Sequence, residues 1–174
     1  MTPFETLMEE YHGEIYRYLL RVTGTPSDAA DLSQETFLRA FRAYRSLPPA
    51  TNTRAWLFAI ATNLSKNHFR GLSRRRGAYE KVAGLKAGRT HSGGDGPDGV
   101  ALSREMGAMI ERLLSNVPLR QRIAFVQRKI HGFDYDLIGR SLGCSAESAR
   151  AHVFQAMKKI RRGLNGYMRG TEER

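Results

Sequence analysis

Residues 131–164, HGFDYDLIGRSLGCSAESARAHVFQAMKKIRRGL, decide how this chain folds. Tyr135, Ile138 and Leu142 recur at helical spacing, and Ala149, Val153, Ala156, Met157, Ile160 and Leu164 do so again over a longer span. Between the two runs stands Gly143-Cys144-Ser145. Gly143 enters a left-handed turn without a Cβ penalty, and the Ser145 hydroxyl is placed to cap the helix that follows. A short helix, a glycine turn and a capped amphipathic helix make a helix-turn-helix. In that arrangement the first turns of the second helix lie in the major groove of DNA. Ala146, Glu147, Ser148, Arg150, Ala151 and His152 are its outward residues. Arg150 suits a guanine edge or a phosphate, and Lys158, Lys159, Arg161 and Arg162 suit phosphates. A helical hairpin with a solvated basic face is the plainer reading of the same pattern.

Upstream of this stretch, Met106, Met109, Ile110, Leu113 and Leu114 form one stripe. Pro118 opens a further helix carrying Ile123, Ala124, Val126 and Ile130, which Gly132 breaks. Residues 73–102 differ in character. Arg74-Arg75-Arg76 leads into a segment ending in SGGDGPDG, too poor in apolar side chains to order itself. It reads as a flexible basic and Gly-rich linker, with at most a short helix near Ala78–Leu85. It divides the chain into a domain at 1–72 and another at 103–174.

The first domain reads as three helices. Phe4, Leu7, Met8, Tyr11, Ile15, Tyr18, Leu19 and Val22 make the first stripe, closed by Gly24. Thr25-Pro26-Ser27-Asp28 starts the second helix, with Thr at the cap and Pro at the first position. That helix buries Ala29, Leu32, Phe37, Ala40, Phe41 and Tyr44, and ends before Pro48-Pro49. The third begins near Asn52 and places Trp56, Leu57, Ile60, Ala61, Leu64 and His68 on its inner stripe. Its other side carries Thr62, Asn63, Lys66, Asn67 and Arg70, a mixture of base-reading amides and phosphate-holding cations. The polar loop Arg45–Asn52 beside Trp56 suits capture of an unstacked base. The expectation is an all-α protein of two small helical domains, the C-terminal one a helix-turn-helix.

Charge is unevenly placed. The net charge is +11, yet residues 1–35 hold 2 basic and 7 acidic side chains while residues 36–91 hold 12 and 1. Residues 92–116 are mildly acidic, and 117–174 hold 12 basic against 5 acidic side chains. The basic blocks suit nucleic acid. The acidic opening suits a different, basic partner, and Asp28, Asp31, Gln34 and Glu35 share one helix sector there.

Several classes find no support. One cysteine, Cys144, forms no internal disulfide, and the five histidines are scattered without metal-site spacing. There is no nucleophile motif, phosphate-cradling loop or apolar run long enough to span a bilayer. No catalytic residue, cofactor, metal or small-molecule substrate is expected, and no signal peptide pattern opens the chain.

Taken together, three ordered stretches resemble the extracytoplasmic-function sigma factors, the smallest of the sigma-70 family. DAADLSQETFLRAFRAY (28–44) looks like their polymerase-binding segment, RAWLFAIATNLSKNHFR (54–70) like the helix reading the −10 element, and residues 131–164 like the helix-turn-helix reading the −35 element. The resemblance implies that 1–72 is a region 2-like domain for polymerase binding, −10 recognition and melting, and that 103–174 is a region 4-like domain for −35 recognition. It assigns polymerase binding to Asp28, Asp31, Leu32, Gln34 and Glu35, against a coiled coil of the β′ subunit. It assigns the −10 element to Leu47, Pro48, Pro49, Ala50, Thr51, Asn52, Asn63, Lys66, Asn67 and Arg70. It assigns the −35 element to Ser145, Ala146, Glu147, Ser148, Arg150, His152, Lys158 and Lys159. Implied partners are core RNA polymerase through the β′ coiled coil and β flap, promoter DNA and an anti-sigma protein. The implied location is the cytoplasm, at the nucleoid or held at the membrane by that anti-sigma protein. The sequence departs from the family at Asp136, where Glu is usual, and at 148–153, which reads SARAHV in place of a Thr-Val-Lys-Ser-Arg-like run. A stand-alone helix-turn-helix regulator is the alternative. It would need a dimer interface or effector domain.

Overall fold

The computed structural model describes residues 3–83 and 101–172, and every regular element among them is helical. α1 spans Pro3–Thr23, α2 Pro26–Tyr44 and α3 Thr53–Ala83. α4 spans Ala101–Ser115 and α5 Leu119–Phe125. A π-helical turn covers Val126–Ile130, and α6 (Tyr135–Leu142) and α7 (Ala146–Glu172) follow. The chain divides into two units, one built chiefly from α1 to α3 and the other from α4 to α7.

In the N-terminal unit α1 buries Phe4, Leu7, Ile15, Tyr18 and Leu19. α2 contributes Ala29, Phe37 and Ala40, and α3 contributes Leu57, Phe58, Ala61 and Leu64. The α1–α3 contact centres on Tyr18. Its ring lies 4.8 Å from that of Phe58, and its hydroxyl shares a 2.7 Å hydrogen bond with Thr62 Oγ1. Both residues are fully buried, so the bond satisfies two polar groups that water cannot reach. Helical spacing alone turns Thr62 outward; the structure turns it inward because Tyr18 meets it there. Glu14 on α1 accepts two further hydrogen bonds from Arg54 Nε at 3.1 Å, tying the start of α3 to α1.

α3 begins where the sequence places it. The Asn52 side chain accepts the N–H of Ala55 at 3.0 Å and so caps the helix. It ends later than expected. The helix continues past residue 72, through Arg74-Arg75-Arg76, to Ala83. Arginine is a good helix former, and no proline interrupts this stretch. Of the remainder of the expected linker, residues 84–100 lie outside the described residues and 101–102 already belong to α4.

The C-terminal unit packs α5 and α6 against α7. Its core holds Leu114, Val117, Ile123, Ala124, Val126, Phe133, Ile138, Leu142, Ala149, Val153, Ala156 and Ile160. Two members of the expected stripes are exposed: Met106 is 52% exposed and Ile130 40%. For Ile130 the reason is the π-helical turn, which widens the helix by one residue and rotates the following positions. The turn is held from within, since Ser141 donates to the buried Gln127 side chain at 3.0 Å. The buried Arg122 closes the other side of α5. Its guanidinium donates to Ser115 O and Val117 O at 3.1 and 3.0 Å, satisfying carbonyls at the end of α4 and in the turn that follows it.

The turn between α6 and α7 is as the sequence requires. Gly143 has φ +69° and ψ +40°, and Ser145 Oγ accepts the N–H of Ser148 at 3.1 Å. Asp134 caps α6 by accepting the N–H of Leu137 at 2.8 Å. A second glycine matters as much. A Cβ on Gly139 would stand 2.6 Å from Cys144 O and 3.0 Å from Ser145 C, both backbone atoms. Gly139→Ala is therefore expected to destabilise the C-terminal unit by about 1–3 kcal/mol. Gly166→Ala, a helical glycine with open space around it, is expected to be neutral or stabilising by up to about 1 kcal/mol. Hydrogen exchange of α6 and α7 amides in the two variants measures the contrast.

Candidate nucleic-acid and partner interfaces

The acidic sector of α2 divides into engaged and exposed groups. Asp28 Oδ2 accepts the Thr25 hydroxyl at 2.7 Å and lies 3.4 Å from His68 Nε2. Thr25 therefore donates to the acid three residues on, instead of accepting a backbone N–H as a cap. Glu35 is paired with Arg39 at 2.6 Å across one exposed turn. Asp31 and Gln34 are exposed, and Leu32 is half-buried.

Beside this sector lies an apolar groove of about 480 Å³ between α1 and α2, lined among others by Met8, Ser33, Gln34, Phe37, Leu38 and Phe41. Phe41 is 61% exposed, and Leu38 and Met8 are also exposed. Periodicity puts Phe41 and Met8 in the core. In the structure Phe41 only leans its edge on Phe4, with centroids 5.2 Å apart, and leaves its outer face open. Ser33 is buried in the groove wall, and its hydroxyl has no hydrogen-bond partner among the described residues. An exposed aromatic beside exposed polar groups, over a groove, is the composition of a protein-docking surface. The only sequence signal for it is that Phe37, Leu38 and Phe41 crowd one helix with more apolar residues than one face can bury.

The loop before α3 is a tight polar turn. Leu47 N–H donates to Tyr44 O and Thr51 N–H to Pro48 O, at 3.1 and 3.0 Å. Pro48, Pro49 and Ala50 are exposed at its tip, Leu47 and Thr51 are half-buried, and the Asn52 side chain is occupied in capping. Trp56 is half-buried one turn into α3. Asn63, Asn67 and Arg70 are exposed on α3, with Lys66 half-buried beside them. The helical extension adds Arg74 one turn beyond Arg70, so cations at 66, 70 and 74 form a continuous row.

In the C-terminal unit α7 presents a broad outer face. Its inward side is Ala149, Val153, Ala156 and Ile160. Glu147, Ala151 and Lys158 are exposed opposite these, together with Phe154, which is 62% exposed. Phe154 was outside the residues that the sequence singles out. A large exposed aromatic one turn after Arg150 suits apolar contact with a thymine methyl. Ser148 is exposed, Ala146 half-buried, and Ser145 is committed to the cap. The two flanks of α7 differ. On one, Arg150 approaches Tyr135 of α6, its Cζ 5.0 Å from the ring centroid. On the other, Lys159 donates to Gln121 Oε1 at 2.8 Å and His152 lies half-buried near Arg120. Burial first, and Arg120 second, hold the His152 imidazole below its ordinary pKa. At neutral pH it offers one donor and one acceptor, not a cation.

Among the described residues no cluster of His, Cys, Asp and Glu is arranged to hold a metal. No described helix is long and apolar enough to cross a membrane.

Comparison with known proteins gives both units a counterpart. Residues 7–75 match the family model for sigma-70 region 2, and residues 107–160 match that for sigma-70, region 4. The chain is 30% identical over 162 residues to the ECF RNA polymerase sigma factor SigE of Mycolicibacterium smegmatis, covering 92% of this chain and 61% of that one. It is 27% identical over 162 residues to the ECF RNA polymerase sigma-E factor of Escherichia coli K12, covering 90% and 84%. In fold it is similar to the sigma factor RpoE solved with the anti-sigma factor NepR from Bartonella quintana (TM-score 0.74, 20% identity, 95% and 98% covered). It is also similar in fold to CnrH solved with the cytosolic domain of CnrY (TM-score 0.66, 21% identity, 94% and 88% covered).

The depressed imidazole of His152 has a measurable consequence. Protonating it costs more in the folded unit than in the unfolded chain, so the unfolded chain binds more protons as pH falls. The stability it contributes is present above about pH 6.5, the ordinary value, and is lost as pH falls through the lower folded value. His152→Gln is expected to flatten the acid side of the stability profile of the C-terminal unit. Urea unfolding at pH 7.5 and 5.0 checks this, and equal slopes in the two proteins would contradict it.

Proposed function

We propose that the chain, as a member of the extracytoplasmic-function family of sigma-70 factors, directs RNA polymerase to promoters as a two-point reader of the −10 and −35 elements. The observation that carries this is the pairing of two units in the family's order. A region 2 match presents a polar loop and a basic row on α3, and a region 4 match presents the exposed face of α7. A stand-alone regulator would leave the first of these without a task.

In this reading the α2 sector and the adjoining groove dock on the β′ coiled coil of core polymerase. Asp31 and Gln34 supply exposed polar contacts, while Phe41 and Leu38 supply apolar area. Asp28 and Glu35, already paired within the chain, exchange or share those partners on docking. The C-terminal unit meets the β flap. The loop at 47–52 receives a −10 base pulled from the stack. Asn63 and Asn67 contact the exposed strand, and Lys66, Arg70 and Arg74 hold its backbone. Flipping a base costs a few kcal/mol, so polymerase contacts and both DNA contacts must offset it together. The −35 element is read by Glu147, Ser148, Arg150, Ala151 and Phe154 around the outer face of α7, with Lys158 and Lys159 on phosphates. All of this takes place in the cytoplasm. An anti-sigma protein is a further partner, supported by the complexes in which the similar structures were solved.

Transcription from a pool of genomic fragments by purified core polymerase, with and without the protein, tests the reading. Defined transcripts that appear only with it are expected; failure to bind core would overturn the proposal. Asp31→Lys is expected to weaken core binding at least about tenfold, and Phe41→Ala about tenfold, with helical content unchanged. Fluorescence titration against core polymerase measures both.

A further inference from the structure

Tyr135 is the first residue of α6, and two guanidiniums converge on its ring. Arg128 Cζ lies 4.6 Å from the ring centroid and Arg150 Cζ 5.0 Å. The three belong to three different elements: the π-helical turn, α6 and α7. We propose that Tyr135 is a specificity-determining positioning residue, whose ring holds the Arg150 guanidinium at the edge of the recognition helix so that it meets one base of the −35 element. The proposal rests on the sigma-factor reading above.

The mount of the ring is rigid. Asp134 caps α6 directly before it, and one residue further back the Phe133 N–H donates to Gln127 O at 3.0 Å. Phe133 itself is buried. Arg128 is pinned as well, because its Nη1 donates to Phe133 O at 3.0 Å. Arg150, by contrast, is exposed at the second turn of α7. An exposed arginine loses much rotamer freedom when it is fixed, and a preset orientation removes that loss from the binding step. The ring face attracts the guanidinium, while the like charge of pinned Arg128 disfavours other resting places near the same ring. An exposed guanidinium held in this way keeps a planar donor fork available for the paired acceptors O6 and N7 of guanine. A swinging Arg150 would instead settle on whichever phosphate came nearest, which carries no sequence information.

The test uses full-length protein bound to core polymerase, on a promoter and a set of single-base-pair −35 variants. Wild type is expected to discriminate about 5- to 150-fold at one base pair, the range of a bidentate contact, and Arg150→Ala to lose that discrimination. Tyr135→Phe keeps the ring and retains it. Tyr135→Leu removes the ring and is expected to lower discrimination at that same base pair by about two- to fivefold, with the salt dependence of binding unchanged. If the Leu variant fails to fold, Tyr135→Gln is read in the same way. Full discrimination in the ring-less variant, with Arg150→Ala still defective, overturns the positioning role. Uniform weakening of all templates by Arg150→Ala, with a salt slope lower by about one, shows a phosphate contact and overturns it too. Absence of any transcription with wild type marks failure of the sigma reading itself.

Discussion

The C-terminal unit turns on how closely one stretch of backbone can approach another. α6 and α7 cross where Gly139 faces the Cys144 carbonyl, at a distance that no side chain could share. Gly143 then reverses the chain with a positive φ that only glycine takes cheaply. These two residues set the angle between the helices, and that angle decides what α7 shows to the outside. With Ala149, Val153, Ala156 and Ile160 held inward, the face carrying Glu147, Ala151, Phe154 and Lys158 has no alternative but solvent or a ligand. The Tyr135–Arg150 contact exists only because the same crossing brings the start of α6 beside the second turn of α7.

Polar groups do much of the fixing in the buried parts of both units. In the N-terminal unit the buried Tyr18–Thr62 hydrogen bond, with Glu14–Arg54 beside it, fixes α3 against α1. In the C-terminal unit Gln127 and Ser141 hold the π-helical turn against α6, and Arg122 closes the end of α4. Apolar contacts tolerate small rotations and slides, whereas a buried hydrogen bond lost to such a shift leaves a desolvated group unpaired. The exposed side chains of the two proposed interfaces do the opposite. Phe41, Leu38, Met8 and Phe154 leave apolar area in water, a cost that a partner's contact removes.

Charge separation along the chain maps onto these surfaces. The acidic opening block supplies the exposed Asp31 on α2, and the following basic block supplies the row at 66, 70 and 74 on α3. A single small domain thus carries an exposed acid on one helix and a row of cations on another.

The sequence by itself determined the helices, the glycine turn, the cap at Ser145, and the order of the two units with their resemblance to sigma factors. Each of these is a local property: a spacing, a residue type at a terminus, a short motif. Only the tertiary structure decided which marginal positions are buried. Phe41, Met8, Met106 and Ile130 sit at stripe edges or past the π-helical turn, where exposure depends on how far the neighbouring helix reaches. It also decided the pairs far apart in sequence: Tyr18 with Thr62, and Tyr135 with Arg128 and Arg150. The extension of α3 through Arg74-Arg75-Arg76 belongs with these, because composition suggests a linker while a helix already nucleated upstream carries good helix formers onward at little cost. Periodicity states which side of a helix is apolar; what lies against that side is settled only when the chain has folded.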